Sequence, residues 1–147
     1  MRIYFDVCCL NRPFDDQSQQ RIRLETEAVT FIMQYIQQKS WCWLGSSAVL
    51  AEVKQTPDPA RRQAMLSLVG QMTEQVPLDN TILGRVAQLQ KVGFSPFDAA
   101  HLAFAEAGRC DLFLTTDDQL LKISQPLIEP LPFRLENPLR WLQEIWT

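Results

Sequence analysis

Histidine is almost missing from this chain. It occurs once in 147 residues, at His101, and the four cysteines (Cys8, Cys9, Cys42 and Cys110) form no C-x-x-C pair. A structural zinc site is therefore not expected. Cys8, Cys9 and Cys42 stand in apolar stretches and read as small buried hydrophobes, and the lack of a disulfide framework fits a reducing compartment. Long apolar runs are missing too: none approaches the roughly 18 residues that a membrane span needs. Asp6 and Asn11 break up the apolar N-terminus, which is unlike a signal peptide, so the expected location is cytoplasmic. Nor is there an excess of positive charge, with 14 Lys and Arg against 17 Asp and Glu, a net charge of −3. Nucleic-acid binders usually carry a basic footprint. An acidic balance suits such a role only if several acids cluster around metal. No internal repeat, low-complexity tract or linker appears.

What is present is a soluble, globular composition, 46% hydrophobic and 21% charged. The length suits one domain with a real core, spanning 1–147, and is short for two. Strand-like and helix-like stretches alternate. Ile3 to Phe5 reads as a strand, followed by an apolar turn and a loop through Asp16. A helix from Gln19 to Gln38 carries two apolar stripes, one with Ile22, Val29, Ile32, Met33 and Ile36, the other with Leu24, Ala28, Phe31 and Tyr35. Either the helix lies deep in the core, or one stripe meets a partner chain. Trp41 to Leu44 reads as strand two. Ser46 or Ser47 caps a short helix through Lys54, and another helix runs from about Ala60 to Met72. Glu74 to Leu78 is a weak strand containing Pro77. Asp79 caps a helix from Asn80 to about Lys91.

The stretch 95–118 is the most informative. Ser95 is the expected cap and Pro96 the first residue of a helix that Gly108 stops. Leu112 to Thr115 then reads as a strand buried on both faces, ending in Thr116-Asp117-Asp118. Gln119 to Ile123 is a helical turn, Pro126, Pro130 and Pro132 punctuate a loop, and Phe133 to Leu135 is a short strand. Asn137-Pro138 opens a last helix with Leu139, Leu142 and Ile145 on one face. This alternation predicts an α/β domain, three-layered α/β/α, around a mostly parallel sheet of about five strands.

Acids recur where open α/β sheets put their chemistry, just past the ends of buried strands. Asp6 follows strand one, and Asp117 and Asp118 follow the strand ending at Thr115. Asp98 opens a helix and Glu52 emerges near the end of another. If strands one and four are neighbours, Asp6 and Asp117 lie side by side. Two carboxylates about 4 Å apart repel by roughly 4 kcal/mol at an effective dielectric of about 20. A cluster of four demands protonation or metal. Oxygen ligands without His or Cys select Mg²⁺ or Mn²⁺, and the natural chemistry of that pair with phosphate oxygens is phosphodiester hydrolysis. His101, three residues after Asp98, lies on the same side of its helix and reads as a packed, hydrogen-bonded residue, not a catalytic base.

These residues resemble the PIN-domain family, the metal-dependent ribonuclease fold of VapC-like bacterial toxins in toxin–antitoxin modules. The resemblance covers nearly the whole chain. It rests on Asp6 after strand one, Glu52 in Ser-Ser-Ala-Val-Leu-Ala-Glu-Val, Asp98 in Phe-Asp-Ala-Ala-His-Leu-Ala and Asp117 in Leu-Thr-Thr-Asp. Asn11-Arg12-Pro13-Phe14-Asp15-Asp16 resembles one branch of the family. The resemblance implies that Asp6, Glu52, Asp98 and Asp117 hold one or two Mg²⁺ or Mn²⁺ ions and cut single-stranded or loop RNA. Thr115 matches a hydroxyl that steadies the site, and Asp118 is an alternative or additional ligand. A homodimer and an antitoxin protein are the implied partners. Arg12, Arg61 and Arg62, with Arg21 and Arg23, are candidates for phosphate contact. One departure stands out: Cys8 occupies a position where relatives usually carry Ser, Thr or Asn, and a thiol is the poorer donor. The alternative expectation is a weakened scaffold that binds RNA or a protein. An aspartyl-phosphate mechanism at Asp6 would need a second acid where Cys8 stands.

Overall fold

The computed structural model describes residues 1–125, 127 and 130–146. Pro126 of the predicted loop lies outside them. The chain is a three-layer α/β/α domain with five parallel strands, among the described residues, in the order β3-β2-β1-β4-β5. The strands are β1 (Arg2–Phe5), β2 (Cys42–Gly45), β3 (Glu74–Gln75), β4 (Leu112–Leu114) and β5 (Arg134–Glu136). The chain moves outward from β1 to β3, then returns to the other side of β1 with β4. The order therefore reverses at the β1/β4 seam, where such sheets open a crevice past their C-terminal ends. Ile3 pairs with Leu112, Tyr4 with Phe113 and Phe5 with Leu114. That register sets Asp6 beside Thr115, and the Asp6 N–H donates to the Leu114 carbonyl at 2.9 Å.

The central strands are continuous apolar runs because both faces are covered. Ile3, Tyr4, Phe5, Phe113 and Leu114 are fully buried. Tyr4 stacks on Phe113 with centroids 5.2 Å apart, and Phe5 meets Trp43 edge-on at 5.3 Å.

The helices are α1 (Val7–Asn11), α2 (Gln20–Gln38), α3 (Ser47–Lys54), α4 (Pro59–Val69), α5 (Asn80–Lys91), α6 (Pro96–Ala107), α7 (Asp118–Ser124) and α8 (Pro138–Ile145). Side-chain caps start four of them as the sequence predicts: Ser46 on α3, Asp79 on α5, Ser95 on α6 and Asn137 on α8. The expected loop after Asp6 is instead a short helix, α1, followed by a 3-10 turn at Arg12–Phe14. Asp6 itself accepts the Val7 N–H, and Pro13 is harmless near the start of the turn because its missing donor is not needed there.

Gly108 ends α6, but not through a left-handed backbone: the positive φ (56°) belongs to Arg109. Glycine is required at 108 by close packing, since a Cβ there would sit 2.7 Å from Val76 Cγ2. On α8 the buried residues are Pro138, Trp141 and Leu142, while Ile145 is exposed, so the core-facing side is set by Trp141. Cys9 and Cys110 are buried as small apolar groups, whereas Cys8 and Cys42 are only half-buried. No helix among the described residues is long and apolar enough to cross a membrane.

Candidate metal centre

Four elements converge on the C-terminal mouth of the β1/β4 seam. Asp6 caps α1 at the end of β1 and is 5% exposed. Its Oδ1 accepts the Val7 N–H (2.8 Å) and its Oδ2 accepts the Thr115 hydroxyl (2.8 Å). Thr115 Oγ1 in turn accepts the Asp117 N–H at 3.1 Å. Both carboxylate oxygens are thus aimed by groups just past the ends of two neighbouring strands.

Glu52 arrives from the last turn of α3 and His101 from the second turn of α6. One ligand atom from each of Asp6, Glu52 and His101 lies within 4.8 Å of the others. His101 is completely buried, with Nε2 2.8 Å from Glu52 Oε1 and Nδ1 2.7 Å from Tyr4 Oη. The Tyr4 hydroxyl also lies 2.7 Å from Ser46 Oγ, which accepts the Val49 N–H at 3.2 Å. One assignment satisfies every member. An ionised Glu52 can only accept, so Nε2 carries a proton, and with a neutral ring Nδ1 accepts from the Tyr4 hydroxyl. Tyr4 then accepts from Ser46. This buried relay fixes the ring of His101 and, through it, the Glu52 carboxylate. The i, i+3 spacing of Asp98 and His101 in the sequence hints at a shared site, but the approach of Glu52 to His101 spans 49 residues and leaves no local trace.

Asp98 lies in the first turn of α6, half-buried. Burial and the negative charges of Asp6 and Asp117 push its carboxyl above the usual range, against a smaller opposing hydrogen bond at Ser95. Burial likewise raises Asp6, with Glu52 adding to the rise and His101 and Thr115 opposing it. Asp117 is exposed and uses Oδ1 to cap α7 through Gln119 and Leu120. Asp118 turns away: it makes a two-pronged pair with Arg21 (2.7 and 2.9 Å) that holds its carboxyl below the usual range.

Of the cations predicted for phosphate contact, Arg12, Arg21, Arg61 and Arg62 are engaged within the fold, while Arg23 is exposed and its side chain makes no hydrogen bond or ion pair among the described residues. Arg12 Nε donates to Glu25 Oε1 and its Nη1 to Asp15, both at 2.9 Å. Arg61 Nη1 donates to Asp15 Oδ1 at 3.0 Å, and its Nη2 to the Phe14 carbonyl. Arg62 reaches the Thr56 carbonyl at 2.9 Å. Cys8 is also engaged: its sulfur accepts the Thr116 N–H at 3.3 Å and lies 3.4 Å from Thr115 Oγ1.

The donor set suits a hard divalent cation. Asp6 and Glu52 bring carboxylate oxygens together with His101, Asp98 lies near enough to feel the charge of Asp6, and none of these acids is paired with an arginine or lysine among the described residues; burial pushes the carboxyls of Asp6 and Asp98 upward. Their oxygens match the preference of Mg²⁺ or Mn²⁺.

No protein-family model matches the sequence, and no curated protein does. Solved structures similar to this chain include the following two. VapBC2 from Rickettsia felis, bound to a DNA fragment from the promoter, aligns with a TM-score of 0.61 at 15% identity, over 93% of this chain and 98% of that chain. FitAcB from Neisseria gonorrhoeae aligns with a TM-score of 0.58 at 15% identity, over 92% and 97%. The fold of this chain is the PIN-like α/β/α class. At that identity the likeness concerns the fold alone, and function is read from the residues of the site.

Proposed function

We propose that residues 1–147 form one PIN-like domain that acts as a Mg²⁺- or Mn²⁺-dependent endoribonuclease, the toxin of a toxin–antitoxin pair. The observation that carries this reading is the approach of buried Asp6, half-buried Glu52 and buried His101 within 4.8 Å of one another at a sheet switch point, with half-buried Asp98 near enough to feel the charge of Asp6 and no lysine or arginine paired to these acids among the described residues. Asp117 completes the proposed ligand set from the exposed side. Asp118, tied to Arg21, has a support role on the flank, and Thr115 steadies Asp6. The likeness to VapBC2 and FitAcB supports an antitoxin protein as partner. Exposed Phe31 and Trp146, packed edge-on 5.2 Å apart, support a further contact surface such as a homodimer would use.

A divalent cation in this site supplies charge neutralisation at the scissile phosphate and activation of water for in-line attack. The chain's own residues do the positioning. Val7 N–H and Thr115 hold the Asp6 carboxylate, and the Tyr4–His101 relay holds Glu52. Burial and neighbouring negative charge push the carboxyls of both Asp6 and Asp98 upward.

One observation favours a second reading. The Cys8 thiol is engaged by Thr116 and Thr115 and offers no strong hydroxyl donor to the site, which suits a scaffold of reduced activity that binds RNA or a protein. Cleavage of a mixed single-stranded RNA pool, with Mn²⁺ or with EDTA, separates the two. The nuclease gives metal-dependent products that vanish in Asp6→Asn. Binding without cleavage at saturating Mn²⁺, with cleavage recovered by Cys8→Ser, establishes the scaffold instead.

A further inference from the structure

A surface cavity of about 930 Å³ adjoins the carboxylates. Glu52 and Val7, the residue after Asp6, form the wall it shares with the metal centre. Phe14 of the 3-10 turn, Gln55 at the end of α3 and Ala64 of α4 line the rest. Its size lies within the roughly 300–1,000 Å³ typical of small-molecule sites.

Charge decides what the cavity can hold. Arg61 is the one cation among its lining residues, and Asp15, Asn11 and the Phe14 carbonyl already take its guanidinium. The other charged groups there are Glu52 and Asp58. A phosphate entering this space would meet two carboxylates and no available guanidinium. A neutral planar group with hydrogen-bonding edges meets better partners: the half-buried ring of Phe14, and the exposed amide of Gln55, whose side chain makes no hydrogen bond among the described residues. Arg61 is then a positioning residue, bracing the Phe14 turn against α4 so that the wall stays in place.

We infer that this cavity takes one nucleobase of single-stranded RNA, the base beside the phosphodiester held at the metal centre. The inference rests on the nuclease reading and adds to it the place where one base of the strand is held. A paired, stacked base cannot enter such a space, whereas a splayed one can, stacking on an aromatic ring and presenting its edge. The preference for single strands follows from a cavity and not from a basic groove, which agrees with the net charge of −3.

The test uses the full chain, a short single-stranded oligoribonucleotide and a set of strands in which one abasic nucleotide is moved along the sequence. Ala64→Leu fills the cavity, and Gln55→Ala removes the free amide from the surface. Each variant is expected to cut the intact strand about tenfold more slowly, from the usual worth of one base contact, while its thermal shift with Mn²⁺ stays that of the wild type. An abasic nucleotide next to the cut slows the wild type by a similar factor and slows Ala64→Leu no further, because both changes remove the same contact. Equal cleavage of abasic and intact strands by wild type, with both variants unimpaired, overturns the inference. Fully multiplicative effects of Ala64→Leu and the abasic nucleotide also overturn it. A wild type with neither Mn²⁺ shift nor cleavage removes the nuclease reading and this inference together.

Discussion

Two acidic residues of this protein are buried almost equally and live in opposite surroundings. Glu25 on α2 is 1% exposed and Asp6 is 5% exposed. Glu25 is met by Arg12 at 2.9 Å, Arg21 at 3.3 Å and the Asn137 side-chain amide at 2.6 Å. From there an alternating chain runs through Arg12 to Asp15 and Arg61 on one flank, and through Arg21 to Asp118 on the other. Asp6 receives one backbone N–H and one hydroxyl, and its charged neighbours include Glu52 and Asp98. A buried charge is tolerated when a partner comes with it. Glu25 has its partners inside the chain and ties α2, the 3-10 turn and the β5–α8 junction together. Asp6 lacks a cation, and its carboxyl is pushed upward. The comparison separates an acid that organises the fold from one that awaits a ligand.

Removing Glu25 is expected to have the largest effect on stability. Glu25→Ala takes from partly buried Arg12 one of its two carboxylate partners and strands the Asn137 amide, at a cost of about 3–5 kcal/mol in denaturant unfolding. A loss under about 1 kcal/mol, the level of an exposed ion pair, would show that the ion chain is decoration. Tyr4→Phe comes next. It deletes a hydroxyl shared by Ser46 and His101 with almost no change of shape, costing about 1–3 kcal/mol. Because His101 then loses the partner that orients it towards Glu52, affinity for Mn²⁺ falls roughly tenfold. Lost stability with unchanged Mn²⁺ affinity would separate the relay from the metal centre.

Asp98→Asn tests the other side of the comparison, with the opposite sign. A carboxyl whose pKa is raised by folding favours the fold only while protonated. That contribution is complete below the unfolded pKa and is lost as pH rises through the folded one. Near neutral pH the metal-free wild type therefore carries a penalty that the variant does not. Asp98→Asn should be more stable by up to about 1 kcal/mol, allowing for solvent screening of a half-buried group. The difference closes as pH falls through the raised Asp98 pKa. A series of metal-free melting curves against pH checks this, and a variant less stable at neutral pH would refute it.

Much of this architecture is legible in the residues. The apolar runs at Ile3–Phe5 and Leu112–Leu114, and the caps at Ser46, Asp79, Ser95 and Asn137, are local signals of backbone chemistry. The acids following β1 and β4 mark the mouth of the sheet because those strands are neighbours. Three features are not visible in this way. Asp6 caps a helix in its own right, which a stretch containing Pro13 and paired acids disguises as a loop. Glu25 sits on the buried side of α2, where hydrophobic periodicity sees only a polar interruption; its partners Arg12 and Asn137 lie 13 and 112 residues away. His101 is legible as a packed residue, but its bond to Glu52 belongs to tertiary structure alone.

The proposed function stands on the unpaired acids at the β1/β4 mouth forming a divalent-cation site. Calorimetric titration of the purified full chain with Mn²⁺, beside Asp6→Asn, tests this most directly. Saturable binding to the wild type, abolished or greatly weakened in the folded variant, is the predicted result. Equal binding to both proteins, or none to a folded wild type, would contradict it.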